Sequence, residues 1–325
     1  MGLSCFVSTG RDLDAAVQRV RLAEELGYEA AYVTHINGRE SLTVVAHYAA
    51  HTSTIRLGPG VVPIYSRTPA TMAQTAATIQ DLSHGRLRLG LGVSHKPVVE
   101  GWHGERIGKP ATEMREYVAI LRAILAGEPP PQDSGRWHTQ FALGGFGPFP
   151  ELPIYLAALS PKMLRTAGEI ADGVVLWLCN PHYIRDVVVP EVTAGRAAAG
   201  KTMEGFDIVA AVPSACVDDP AEARAAMRRD LLPYFGLPFY RAMLDRSGFG
   251  EDLDAYDAAM AGGDGDGMQA AISDRFLEVL SPIGDADTVR AGVQRYVEAG
   301  ATSPAVGPIA RTDSDATLRA AAGAL

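Results

Sequence analysis

One motif recurs along the chain: an amphipathic helical stretch, a glycine, then a short apolar run. AVQRVRLAEELGYEAAYVTH turns at Gly27, TMAQTAATIQDLSHGRLRLGLG at Gly85, MLRTAGEIADGVVLWL at Gly173 and VRAGVQRYVEAGATSPAVGP at Gly300. Glycine suits the left-handed position that ends a helix. The apolar runs do not alternate with polar residues, as expected of strands covered on both faces. Helix and strand taking turns in this way mean a parallel sheet with right-handed crossovers. Strands are expected near 3–8, 29–34, 54–62, 86–93, 153–159, 173–178, 206–216 and 303–308. Eight such strands point to an α/β fold of the (β/α)8 TIM barrel type.

A barrel of this kind takes about 250 residues, and the chain has 325. The surplus falls in two stretches. Residues 96–150 hold one helix near 110–126 and then a Gly/Pro-rich aromatic run. Residues 230–280 read as extra helices around AGGDGDG, a flexible turn. No domain boundary is visible, so residues 1–325 read as a single barrel domain with insertions near 96–150 and 230–280.

Composition narrows the function. A net charge of −9 argues against nucleic acid or an anionic membrane as partner. No apolar run approaches bilayer length, and the start of the chain lacks a signal-peptide pattern. Cys5, Cys179 and Cys216 form neither a CxxC nor an even framework, which fits a reduced, cytoplasmic setting.

Several familiar motifs fail on inspection. Gly90-Leu91-Gly92 has His95 where a dinucleotide fingerprint needs its third glycine. GERIGK at 104–109 is one residue short of a phosphate loop. His47 and His51 have a zinc-like spacing, but Tyr48 stands where a metalloprotease has glutamate, and DGDG at 264–267 lacks the calcium-loop ligand ladder. No metal site is expected.

What remains gathers at the carboxyl ends of the strands, the face that carries barrel active sites. Ser8, His35, Ser94, His95, Trp177, Cys179 and Asn180 lie at the ends of strands one, two, four and six, and Trp102 in EGWHG is placed to close over them. Gly58, Pro59, Gly60 and Pro63 in one strand signal a bulge or the close approach of a ligand. At the fifth strand, Ser160 is a good N-cap, Pro161 fits the first helical position and Lys162 adds a charge. That junction reads as an anion site, or as an ordinary turn with a solvated lysine.

Four stretches together resemble the luciferase-like monooxygenase superfamily, in particular its F420-dependent oxidoreductase branch. They are AYVTHINGRE, TSTIRLGPGVVPIYSRTPATMAQTAATIQDLSHGRLRLGLGVSH, LPIYLAALSPKMLRTAGEIADGVVLWLCNP and GDADTVRAGVQRYVEAGATSPAVGPI. The resemblance implies a (β/α)8 barrel, usually a homodimer, holding coenzyme F420 or FMN at the strand ends. It places Gly60, Val61 and Val62 behind the cofactor ring, with the Gly60–Val61 bond cis in many relatives. Val93 and Ser94 flank the cofactor. Ala157, Ala158, Leu159, Ser160, Pro161, Lys162 and Met163 hold its phosphate, with Ser160 where relatives commonly have glycine. His35 and His95 become the candidate proton donor or acceptor, and Ser8, Trp102, Trp177 and Cys179 the substrate pocket. The implied activity is hydride transfer between C5 of the deazaflavin and a small organic substrate. The alternatives are a two-component monooxygenase using reduced FMN, or a non-catalytic flavin-binding barrel.

Overall fold

The computed structural model describes residues 2–133 and 135–325. Ten parallel strands form: β1 (Ser4–Phe6), β2 (Ala30–Val33), β3 (Arg56–Pro59), β4 (Val62–Pro63), β5 (Leu89–Gly92), β6 (Ile154–Ala157), β7 (Gly173–Leu176), β8 (Asp207–Cys216), β9 (Ile283–Gly284) and β10 (Ser303–Pro308). Their order is β3-β2-β1-β10-β8-β7-β6-β5-β4. β3 and β4 are one strand of the wall, interrupted at Gly60–Val61. β3 also meets the residues just before β5: Leu57 N–H donates to Arg86 at 3.0 Å and Arg88 N–H donates back to Leu57 at 2.8 Å. That contact closes the sheet, so the wall is the expected (β/α)8 barrel. β9 stands outside it, paired with the end of β8.

Alternation along each strand sorts the core into two layers. Cys5, Ala31, Leu89, Leu156, Val174 and Val306 face the surrounding helices. Phe6, Tyr32, Tyr155, Val175, Val209 and Ala305 fill the barrel. The helices owe their boundaries to local chemistry. Asp12, Thr68 and Asp285 cap Leu13–Glu25, Pro69–Leu82 and Ala286–Glu298 with their side chains. Gly27, Gly85 and Gly300 follow these helices at φ of 80°, 85° and 108°.

Gly173 departs from that pattern. The helix Pro161–Ile170 ends earlier, at an extended Ala171, and Gly173 instead opens β7. A Cβ there would lie 2.9 Å from the Asp207 carbonyl oxygen, so this glycine answers a strand contact. The helix Pro110–Ala126 packs between Pro69–Leu82 and Pro161–Ile170, which is the place of the crossover helix from β5 to β6. Between β8 and β9 run five helices: Ala221–Phe235, Pro238–Arg246, Gly250–Ala261, Gly265–Ala270 and Asp274–Leu280. Of the AGGDGDG run, expected as a flexible turn, only Gly262 to Asp264 turn: Ala261 ends the third helix, and Gly265, Asp266 and Gly267 open the fourth, which Asp264 caps.

Candidate active site

The strand-three glycines are explained by crowding. The Gly60–Val61 peptide is cis, and Gly60 N–H donates to the Val33 carbonyl at 2.8 Å. A Cβ on Gly60 would stand 2.6 Å from the Phe6 ring. The Val61 side chain leans toward β5, where Cβ atoms on Gly90 and Gly92 would approach it to 2.8 and 2.7 Å. Gly90-Leu91-Gly92 is therefore the bed for Val61, and not the start of a dinucleotide loop. Val61 is half-buried on the inner layer, while Val62 is buried in the outer core.

Three non-glycine residues just beyond strand ends are left-handed: Ser94 (φ 59°), Leu178 (φ 57°) and Arg311 (φ 69°). Such backbone is disfavoured for residues with a Cβ, and it concentrates at functional sites. Ser94 turns the chain so that His95 packs on Tyr240, with ring centres 5.8 Å apart. From Tyr240 the rings continue to Tyr234 (4.8 Å), Trp177 (6.4 Å) and Phe6 (6.2 Å). An aromatic chain thus links the strand-three bulge to the end of β5. Burial holds His95 below the usual imidazole range.

His35 lies in a polar cluster at the end of β2. Its Nδ1 is 2.9 Å from Ser41 Oγ and accepts from the Ser41 amide at 3.4 Å. An accepting Nδ1 assigns the proton of the neutral ring to Nε2. Glu40 lies 3.6 Å from His35 and pairs with Arg67 at 3.2 Å. Burial is the main force holding His35 below its ordinary range. Glu40 opposes that lowering, and Arg67 and His103 add to it.

At the fifth strand, Ser160 Oγ accepts from Met163 N–H at 3.4 Å. Leu164 N–H donates to the Ser160 carbonyl at 2.9 Å, and Pro161 has no N–H. Among the described residues, only the Lys162 amide in this first turn lacks a backbone or capping partner. The first turn thus keeps one free amide, flanked by the Ser160 hydroxyl and an exposed Lys162 side chain. Ala157 ends β6, Ala158 is buried, and the Leu159 carbonyl accepts from Tyr183 Oη at 2.7 Å.

The remaining candidates are scattered. Val93 is half-buried against the outer core. Ser8 is exposed and its Oγ accepts from Gly10 N–H at 3.4 Å. Trp102 is 55% exposed. Cys179 has no open surface: it is buried in the outer core, which pushes its thiol well up. Sequence reasoning passed over Tyr234 and Tyr240, which the second insertion delivers to the aromatic chain. The run PYFGLPFY at 233–240 was the available signal: four aromatic residues, Tyr234, Phe235, Phe239 and Tyr240, around one short turn between helices. Glu40, Ser41 and Arg67 were missed because only the fold brings them to His35. His51 Nδ1 sits 2.8 Å from the His47 carbonyl, so that pair is tied within its own helix end.

A (β/α)8 barrel with strained backbone and half-buried, neutral histidines at its carboxyl mouth is the architecture of an enzyme. The luciferase-like monooxygenase family profile matches residues 2–303. The 5,10-methylenetetrahydromethanopterin reductase of Archaeoglobus fulgidus is 33% identical over 298 residues, covering 89% of this chain and 87% of its own. A putative coenzyme F420-dependent oxidoreductase of Mycobacterium tuberculosis is 31% identical, covering 87% of each. The solved coenzyme F420-dependent tetrahydromethanopterin reductase of Methanopyrus kandleri superposes with a TM-score of 0.81 at 25% identity, covering 100% of this chain and 98% of that one. The chain belongs to the luciferase-like monooxygenase family. Within it, the protein is an oxidoreductase.

Proposed function

We propose that the protein uses coenzyme F420 and transfers a hydride between C5 of the deazaflavin and a small organic substrate. The observation that carries this reading is the Gly60–Val61 bulge, which lays Val61 across two strand-five glycines at the barrel mouth. It forms an apolar backing for a flat ring, between the inner aromatic layer and the strand-five end. The names of the relatives support F420 over FMN.

The residues present fit the cofactor. Lys162, its own amide and the Ser160 hydroxyl are a charge and two donors suited to a phosphate. The Ser160 hydroxyl remains able to donate while its oxygen accepts from Met163, so its side chain adds a donor to this corner. The cofactor, when bound, supplies the hydride chemistry. The chain supplies position and proton handling. His35 offers Nε2–H as a donor, held in that tautomer by Ser41. His95 is kept neutral by burial, which leaves one ring nitrogen able to accept a proton near neutral pH.

The test is titration of the protein with F420 and with FMN, read by absorption and fluorescence, followed by a hydride-transfer assay on carbonyl and imine compounds. Tight F420 binding with oxidation or reduction of the deazaflavin is expected. Preferential binding of reduced FMN with oxygen consumption, or binding without any hydride transfer, overturns the reading.

A further inference from the structure

The aromatic chain at the mouth has a composition that points to a class of substrate. Trp177 comes from the end of β7 and His95 from the end of β5, whereas Tyr234 and Tyr240 come from the helices inserted after β8. Trp177, Tyr234 and His95 are each half-buried, so part of each ring stays open, while Tyr240 is 7% exposed behind them. The charge that acts on Tyr234 is the exposed Asp230, itself under the influence of Arg229 and Arg311. Ion-paired Glu40 and Arg67 belong to the separate cluster around His35. Among the described residues, no hydrogen bond of the Tyr240 hydroxyl is found, and Trp177 Nε1 on the same wall is buried without a partner.

We propose that Trp177, Tyr234, Tyr240 and His95 form the substrate wall, that it takes a flat, uncharged aromatic compound bearing a hydrogen-bond acceptor, and that Tyr234 and Tyr240 determine this specificity. The proposal rests on reading the mouth as the active site. Aromatic faces favour offset or edge-on partners over saturated ones of equal size. A wall without a charge of its own gives no compensation to a charged substrate, which would have to give up water to enter. Burial pushes the Tyr234 and Tyr240 phenols up and holds His95 down, so all three rings are neutral at neutral pH. The unpaired Tyr240 hydroxyl is then a donor waiting for a carbonyl or imine on the substrate.

The experiment measures binding of four probes by quenching of tryptophan fluorescence: 2-acetylnaphthalene, its ring-saturated analogue 2-acetyldecalin, 2-ethylnaphthalene and 2-naphthoate. Each is titrated with and without F420, into wild type, Tyr234→Leu and Tyr240→Phe. Wild type is expected to prefer 2-acetylnaphthalene over the decalin by about tenfold and over naphthoate by at least about a hundredfold. Tyr234→Leu should shrink the first preference to about threefold or less. Tyr240→Phe, which keeps the ring and the packing, should keep that preference but lose about fivefold of the preference for the ketone over 2-ethylnaphthalene. Equal binding of ketone and naphthoate by wild type, or unchanged preferences in both variants, overturns the wall. F420 titration of the same samples separates the two ideas. Ring preference without F420 binding would remove the cofactor reading alone, and F420 binding without ring preference would remove the wall alone.

Discussion

Gly60 has room for a hydrogen and for nothing larger. The Phe6 ring that a Cβ would strike is itself held between Tyr32 and Trp177, at 5.6 and 6.2 Å, so it has no free direction in which to yield. Gly60→Ala should cost about 1–3 kcal/mol by urea denaturation. Gly38→Ala, where nothing lies within 4 Å, should stay within about 0.5 kcal/mol. Equal effects would mean that the bulge accommodates a methyl group. His35 and His95 make a second claim at this scale. Both rings titrate below the ordinary histidine value of 6.5, so on acidification the unfolded chain takes up these protons first. The stability gained by keeping them neutral is complete above that value and is lost as pH falls below it. A His35→Gln, His95→Gln double variant should therefore show a shallower loss of stability than wild type from about pH 7.5 to about pH 5. Parallel curves would show that the two rings titrate alike folded and unfolded.

At the scale of the element, the start of the helix Pro161–Ile170 combines a structural task with a proposed binding task. Ser160 caps Met163 through a long bond of 3.4 Å. Ser160→Ala should accordingly sit at the low end of cap losses, at about 0.5 kcal/mol. Lys162 is exposed, so water screens it and its share in holding a phosphate is modest. Lys162→Ala should weaken F420 binding by about three- to tenfold, and Lys162→Glu by more. The loss should nearly vanish for the deazaflavin fragment lacking phosphate, read by fluorescence titration. Equal losses for the two compounds would place the phosphate elsewhere.

At the scale of the whole molecule, the amino end of the barrel is tied by charge. Arg88, buried inside the wall, meets Glu29 at 2.6 Å and Asp207 at 3.2 Å. Tyr155 Oη donates to Asp207 at 2.8 Å, and Thr302 also bonds that carboxylate. One arginine so joins strands from both halves of the sheet, below the Tyr32 and Tyr155 rings of the inner layer. Removing one partner from a buried ion network leaves the others unpaired. Arg88→Met should lose about 3 kcal/mol of stability, discounted from the fully buried case because Glu29 keeps Arg56 and is partly exposed. A loss below about 1 kcal/mol would show that the tie is surface-like.

The barrel itself could be read from the sequence, because it rests on local chemistry repeated many times. Side-chain caps, left-handed glycines and apolar runs each act within a few residues, and eight apolar strands alternating with helices leave one way to cover both faces of a sheet. The strand-three bulge was visible as misplaced glycine and proline, and the Ser160–Lys162 junction as a capped helix start. Contacts between distant segments were not visible. Gly90 is required by the Pro59 carbonyl, 2.2 Å from where its Cβ would lie, and by Val61, and Gly92 by Val61, all from a strand far earlier in the chain. That a single free amide remains in the turn after Ser160 emerges only when its own hydroxyl and carbonyl are seen to take the amides of Met163 and Leu164. Cys179 reads as mouth-lining by position along β7 but is buried, since the left-handed Leu178 redirects the chain. Tyr234 and Tyr240 reach the mouth because an insertion after β8 folds back over the end of β5 and β7, and no local rule sets where a returning segment lands. Period and propensity act along the chain, and so the sequence determined the elements. Only closure of the barrel, which brings separate strand ends into one ring, decided which side chains meet there.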